Sequence, residues 1–442
     1  MVDDANARPD TAARMLGLPG FMVLAAGEYG GELELLVETI STVSGCEGCG
    51  VVAIPHGRRE HVVRDVPSGG RPVTTLVWRK RIWRCEEPRC DRRTWSERSE
   101  AIRPKAALTE RARMWATRRI GEDGDTVEDL RLELGVSWGT VMRAVREYGA
   151  PLVDDPDRLA GVVGLGVDET AWLRATATRS TQYVTGLVDL SPGRPARLLD
   201  VVPGRSGRAY ASWIVDREDS WRAGIGFAAL DPFRGYATAL RTELPHAVRV
   251  LDAFHVVRLG FEAVDEVRRR VQQQTLGHRG RTGDPLYGIR RELRRGADKL
   301  SERALERVCT ALDVGDPDGE VAAAWWCAQR LRDVYRAASP EQGRQRGATV
   351  LEALLSCPVP ELVRLGRTLR SWRSEWLAYF DTAGASNGPT EAMNLLIDKI
   401  RRLGHGFRNY DNYRLRLLLY CGVDWQTDPT PRIRRRRPRM VG

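Results

Sequence analysis

The sequence predicts a multidomain α+β protein. Three observations carry that prediction. Two close cysteine pairs flank β-rich sequence near the N-terminus, and strand and helix patterns alternate between residues 160 and 260. A long arginine-dense helical stretch then leads to a helix with a glutamate in its first turn.

Of the 69 cationic residues, only Lys80, Lys105, Lys299 and Lys399 are lysines, and the formal net charge is +10. Arginine favours bidentate phosphate contacts, although a GC-rich coding sequence gives the same bias. The charge suggests a polyanionic partner without establishing one. No export signal or bilayer-length apolar run is expected: Leu16–Ala26 is apolar but short and contains Gly-Leu-Pro-Gly. Eight cysteines in such a chain point to a reducing cytoplasm, where clustered thiols bind metal more often than they oxidise.

Residues 1–30 read as a partly ordered lead-in, and 32–42 as a strand. Cys46-x-x-Cys49 and Cys85-x4-Cys90 bracket β-like sequence at 61–66 and 73–83. Two such knuckles supply four thiolates tetrahedrally, predicting a zinc ribbon with one structural Zn²⁺; four unligated thiols are the alternative. Arg79, Arg81 and Arg84 lie among further cations beside the second knuckle, with Trp78, Trp83 and Trp95 interleaved. This pattern fits a surface that lies on DNA, or a solvated basic edge.

A helix is expected over 108–120. Thr126 caps a second, Gly135 makes a turn, and Ser137 caps a third. This is a helix-turn-helix pattern, with Trp138, Thr140 and Arg143 as candidate groove-facing residues; a generic three-helix packing unit would look similar.

Strands follow at 162–172, 182–190 and 197–202, a helix at 208–216, a strand at 225–231, a short helix at 236–243 and a strand at 247–252. That order, followed by helical sequence and a helix bearing Glu391, matches the ribonuclease-H-like fold. Its first and fourth strands are neighbours, and adjacent strands lie about 4.8 Å apart. Asp168 and Asp231 can therefore reach the same metal ions. Asp252, one strand further out, reads as a supporting residue, and so does His255, a capping or core position for which a catalytic role stays open.

Residues 261–377 are helical by pattern, with Trp325, Trp326, Trp372 and Trp376 spaced for a core and Cys309, Cys327 and Cys357 as packing residues. The last helix starts near Gly388–Pro389, with Asn387 or Gly388 as cap. Met393, Leu396, Ile397, Ile400 and Leu403 share one face; Glu391, Asn394, Asp398 and Arg402 share the other. A first-turn glutamate is ordinarily a dipole complement. With Asp168 and Asp231 it instead completes three carboxylates able to hold two Mg²⁺ or Mn²⁺ ions about 3.5–4 Å apart for an in-line phosphodiester displacement. The expected divisions are 1–100 lead-in and ribbon, 101–150 helix-turn-helix, and 160–260 the first part of the catalytic domain. A helical insertion at 261–382, the last catalytic part at 383–425 and a basic tail at 426–442 complete them.

The segments GVDETAW, ALDPFRGYATALRTELPHAVRVLDAFHVVRL and SNGPTEAMNLLIDKIRRLGHGFRNYDNYRLRLLL resemble the transposases of the bacterial ISL-three insertion-sequence family, over roughly residues 32–422. The resemblance implies that Asp168, Asp231 and Glu391 form a DDE triad and that Cys46, Cys49, Cys85 and Cys90 ligate zinc. It also implies binding to double-stranded DNA, both terminal inverted repeats and target, by a homodimer or larger assembly at the nucleoid, with no membrane partner. The arginine-rich tail lies outside it. Two other readings stay open: a domesticated, non-catalytic DNA-binding regulator, and a nuclease of the same fold that cuts without joining.

Overall fold

The computed structural model describes residues 16–68 and 73–425; the basic tail lies outside them. The chain divides into two compact units, Met1–Arg158 with Lys399–Gly442, and Leu159–Asp398. The division falls inside one helix, Gly388–Leu403.

In the first unit, β1 (Phe21–Tyr29), β2 (Glu32–Thr39), β3 (Ile54–Asp65), β4 (Thr74–Arg84) and β5 (Thr94–Ser96) form a sheet in the order β1-β2-β4-β3, with β5 on β4. Strand β1 corrects the expected lead-in. Its alternation is broken by Ala-Ala-Gly and by a register shift between Val23 and Ala25, and most of it is exposed. The sequence signal is correspondingly weak. Phe21, Val37, Val63, Leu76 and Trp78 pack together on one face of this sheet.

Three helices follow, Glu110–Arg118, Val127–Leu134 and Trp138–Val153, capped by the side chains of Thr109, Thr126 and Ser137. Each cap satisfies an otherwise orphaned N–H, worth about 1 kcal/mol. Gly135 ends the second helix at φ 61°, a left-handed geometry that glycine adopts without steric cost.

The helix Tyr410–Cys421, expected with the catalytic domain, belongs instead to this unit. Tyr413, Leu415, Leu417, Leu418 and Leu419 are buried around nearly its whole circumference, so it needs cover on several sides. Gly149 of the Trp138–Val153 helix provides close approach: a Cβ there would lie 2.9 Å from Leu419. Arg146 adds a hydrogen bond to Asn412 at 3.1 Å.

In the second unit, β6 (Gly164–Leu173), β7 (Gln182–Asp189), β8 (Arg197–Pro203), β9 (Phe227–Leu230) and β10 (Val248–Leu251) form a sheet in the order β10-β9-β6-β7-β8. Strands β6, β7 and β8 are an antiparallel meander, while β9 runs parallel to β6 and β10 parallel to β9. First and fourth strands of this sheet are thus neighbours at its centre, as the ribonuclease-H-like pattern predicts. The helices Gly207–Val215 and Arg234–Glu243 follow β8 and β9.

Helix Ala253–Leu276 leaves β10 without a break, so the expected boundary at 260/261 cuts through a continuous helix. Further helices run to Leu377, and their apolar side chains join those of the sheet in one core. Trp325, Trp372 and Trp376 are buried there, but Trp326 is 56% exposed, one position off the inward stripe. Cys327 and Cys357 pack against the core; Cys309 is exposed, contrary to its reading as a packing residue. Among the described residues, no helix is long and apolar enough to cross a membrane.

Candidate functional site

Strands β6 and β9 pair Gly164 with Phe227, Leu165 with Ala228 and Gly166 with Ala229. Asp168 lies two residues beyond Gly166, and Asp231 two beyond Ala229. Side chains alternate along a strand, so equal steps of two carry both carboxylates to the same side. Asp231 lies just past the end of β9, and Asp252 just past the end of β10.

The helix bearing Glu391 is fastened to these strand ends by Asn387. Its backbone N–H donates to Asp252 at 2.7 Å, and its side-chain amide donates to the Val167 carbonyl at 3.1 Å and to Asp231 at 3.4 Å. One turn after Glu391, Asn394 donates to Asp168 at 2.6 Å. Close approach is possible because residue 166 is glycine: a Cβ there would collide with Thr390 Oγ1 and lie 2.9 Å from Asn387 Oδ1. Met393, Ile397 and Ile400 are buried, whereas Leu396 and Leu403 of the expected apolar face are exposed.

His255 sits among the carboxylates. Its Nε2 is 2.9 Å from Asp231 and 3.9 Å from Glu391, and its Nδ1 is 3.1 Å from Asp252. Burial disfavours a charged imidazole, but Asp231 and Asp252 overcome it and push its pKa up to about 10. Asp252 is 1% exposed and caps the Ala253–Leu276 helix. Sequence reasoning placed His255 beside the site, as a supporting, capping or core residue, and read Asn387 as a helix cap without its role as the clamp. The signals were the three-residue step from Asp252 to His255, and an asparagine just before a Gly-Pro helix start.

The donor set fits a divalent cation. Asp168, Asp231 and Glu391 are hard oxygen donors. Burial, reinforced by the charge of Asp231, raises Asp168 to about 7, and a cation would offset both effects. Donor atoms of Asp231, Asp252 and His255 lie within 4.8 Å of one another.

In the first unit, sulfurs of Cys46, Cys49, Cys85 and Cys90 also lie within 4.8 Å of one another, with Cys46 to Cys90 at 3.7 Å and Cys49 to Cys85 at 3.5 Å. The Gly48 N–H points at Cys46 Sγ. Four mutually close thiols with no disulfide suit one structural zinc.

The candidate DNA contacts fare unequally. Trp138 and Arg143 are exposed, but the Thr140 hydroxyl is engaged with Ser137 at 2.9 Å. Arg81 is a correction. It is 8% exposed, and its guanidinium is held by Glu38 at 2.9 Å and by the carbonyls of Thr39 and Ser41. It holds the sheet together and has no face left for DNA. Arg79 is half-buried near Glu38, and Arg84 pairs with Glu86 at 2.9 Å on the surface.

Residues 165–417 match the ISL3 family model described as "Transposase". Residues 42–96 match the model described as "zinc-finger of transposase IS204/IS1001/IS1096/IS1165". Two curated relatives, each named "Transposase for insertion sequence element IS1557", come from Mycobacterium tuberculosis strains CDC 1551 / Oshkosh and ATCC 25618 / H37Rv. Each is 26% identical over 295 residues, which cover 62% of this chain and 63% of the relative. A solved structure, the Drosophila P element transposase strand transfer complex, aligns with 70% of this chain and 91% of its own, at 9% identity and a TM-score of 0.38. That likeness is too loose to support an argument. The family match spans more than half of the sequence and includes Asp168, Asp231 and Glu391: the chain belongs to the ISL3 family of transposases.

Proposed function

We propose that the protein is a DDE transposase that binds the terminal inverted repeats of its own insertion sequence and catalyses DNA cleavage and strand transfer. The observation that carries this reading is the equal step by which paired strands β6 and β9 present Asp168 and Asp231, with Asn387 clamping the Glu391 helix to the same strand ends. Magnesium or manganese ions held by Asp168, Asp231 and Glu391 would supply the Lewis acidity for attack by water or a 3′-hydroxyl and for departure of the leaving oxygen. Asn394 orients Asp168, while Asp252 holds both His255 and the start of the Glu391 helix. His255 acts as a positioning residue that keeps Asp231 in place. The zinc ribbon and helix-turn-helix recognise the DNA end, Trp138 and Arg143 being the groove candidates. Cutting two ends together calls for a dimer or larger assembly on paired ends.

The test is a cleavage and strand-transfer assay on the flanking ends of the protein's own gene, with magnesium or manganese. Wild type should cut and join, and Asp231→Ala should bind ends without chemistry. Tight end binding with no cleavage under either metal would make the protein a DNA-binding regulator. Cleavage without joining would make it a nuclease.

A further inference from the structure

The unit that contains the zinc ribbon holds a cavity of about 690 Å³. It opens between the starts of the Val127–Leu134 and Trp138–Val153 helices and the segment 402–409. Helix starts carry unsatisfied N–H groups and partial positive charge. Here a second feature points the same way. Arg416 lines this cavity and is 6% exposed, with its guanidinium 5.0 Å from the Phe407 ring. Among the described residues its hydrogen-bond acceptor is the Asp125 carbonyl, at a long 3.4 Å, and its Nε has no partner. Burial lowers its pKa to about 10, with no carboxylate among the described residues offsetting it.

A buried guanidinium without a counter-ion is costly, and a phosphate matches its fork of donors. Both acidic residues on the wall are already engaged, Glu128 by Arg131 at 2.7 Å and Asp129 by the Thr126 hydroxyl at 2.7 Å. Arg408 on the rim is exposed. Trp138 borders the same cavity, and the exposed Arg143 follows it on the same helix. An anion seated here is therefore continuous with anything lying along that helix.

We propose that this cavity seats the sugar-phosphate backbone of the DNA bordering the Trp138–Val153 helix, with Arg416 and Arg408 taking phosphate oxygens. The inference rests on the DNA-end recognition proposed above and adds a backbone clamp to it. It gives Gly404–Asn409, the loop after the Glu391 helix, a DNA-holding role. Backbone contacts of this kind fix register and carry the salt dependence, while base contacts carry sequence preference.

The experiment is fluorescence anisotropy on the full-length, zinc-loaded protein across a salt series. One duplex comes from the flanking end of the gene, and the other is a scrambled duplex of equal length. Arg408→Gln should weaken both duplexes by a similar factor and lower the salt slope by about 1. Arg416→Gln should do the same more strongly, whereas Arg143→Gln should reduce the preference for the end. Should Arg416→Gln melt early, the exposed Arg408→Gln carries the test. Wild-type affinity and slope in Arg408→Gln on both duplexes would overturn the clamp, and a lost end preference in Arg143→Gln would leave end recognition standing. A wild type that binds neither duplex overturns both.

Discussion

The backbone N–H of Asn387 donates to the carboxylate of Asp252 at 2.7 Å, across 135 positions of sequence. Asp252 also accepts from the His255 N–H at 3.0 Å, so one buried carboxylate sets the start of two helices. Burial opposes its charge, but the His255 ring and the N–H groups of Asn387 and His255 hold its carboxyl below the usual range. The substitution Asp252→Ala removes a cap and leaves the Asn387 N–H unpaired. It should cost about 2–4 kcal/mol, read from the urea midpoint. Asp252→Asn, which keeps the shape and an acceptor oxygen, should cost less. An Asp252→Ala protein as stable as wild type would show that the shared carboxylate does not hold these helices.

Gly166 sets how closely the Glu391 helix approaches β6. An added methyl would meet Thr390 Oγ1, Asn387 Oδ1 and the Leu190 side chain. Overpacking of this kind costs about 1–3 kcal/mol. Gly166→Ala should therefore lose metal-dependent cleavage through a displaced Glu391 while the protein stays folded at room temperature. Gly193 has open space around its Cβ position but a φ of 81°, so it is a poor control. Gly139, whose Cβ would meet only Ser137 Oγ at 3.9 Å, is a better one, and Gly139→Ala should leave metal-dependent strand transfer from a precut end intact.

His255 is the one cationic side chain paired with Asp231 among the described residues. Removing one partner of a buried ion pair costs about 3–5 kcal/mol, so His255→Ala should be clearly less stable in buffer without divalent ions. If a cation and His255 share the work of neutralising Asp231, Mn²⁺ should raise the melting temperature of His255→Ala more than that of wild type. Equal manganese shifts in both proteins would mean that the histidine and the metal act on different charges.

Local chemistry made much of this legible. Thr126, Gly135 and Ser137 announce three helix ends, and period-two patterning places Asp168 on its strand. Partner choice was less visible. Arg81 reads as one of a run of surface cations, yet its place on β4 opposite Arg58 and beside Glu38 turns it inward. Tyr410–Cys421 follows the Glu391 helix in sequence, but its all-round apolar surface is met by the Trp138–Val153 helix at Gly149. His255 needed the third dimension, because both of its carboxylate partners on the sheet come from the ends of different strands.

Zinc is the remaining prediction. Cys46, Cys85 and Cys90 are buried and Cys49 is exposed, and the loop around Cys46 is shaped by hydrogen bonds from Cys46 N–H to the Val51 carbonyl and from Gly50 N–H to the Cys46 carbonyl, both 2.8 Å. Little apolar contact backs this knuckle: the local cluster is the cysteines themselves with Trp95. Its order should therefore depend on the metal, since binding energy at such sites is folding energy. Purified protein should carry about one zinc per chain, and Cys85→Ser should carry almost none. Protease should then cut the variant between residues 42 and 96 well before it cuts wild type, while the Ala253–Leu276 helix stays protected in both. Full-length protein without zinc but equally resistant over 42–96 would mean that the four thiols pack as reduced cysteines, and that the ribbon holds its shape by the pairing of β4 with β3 and β5.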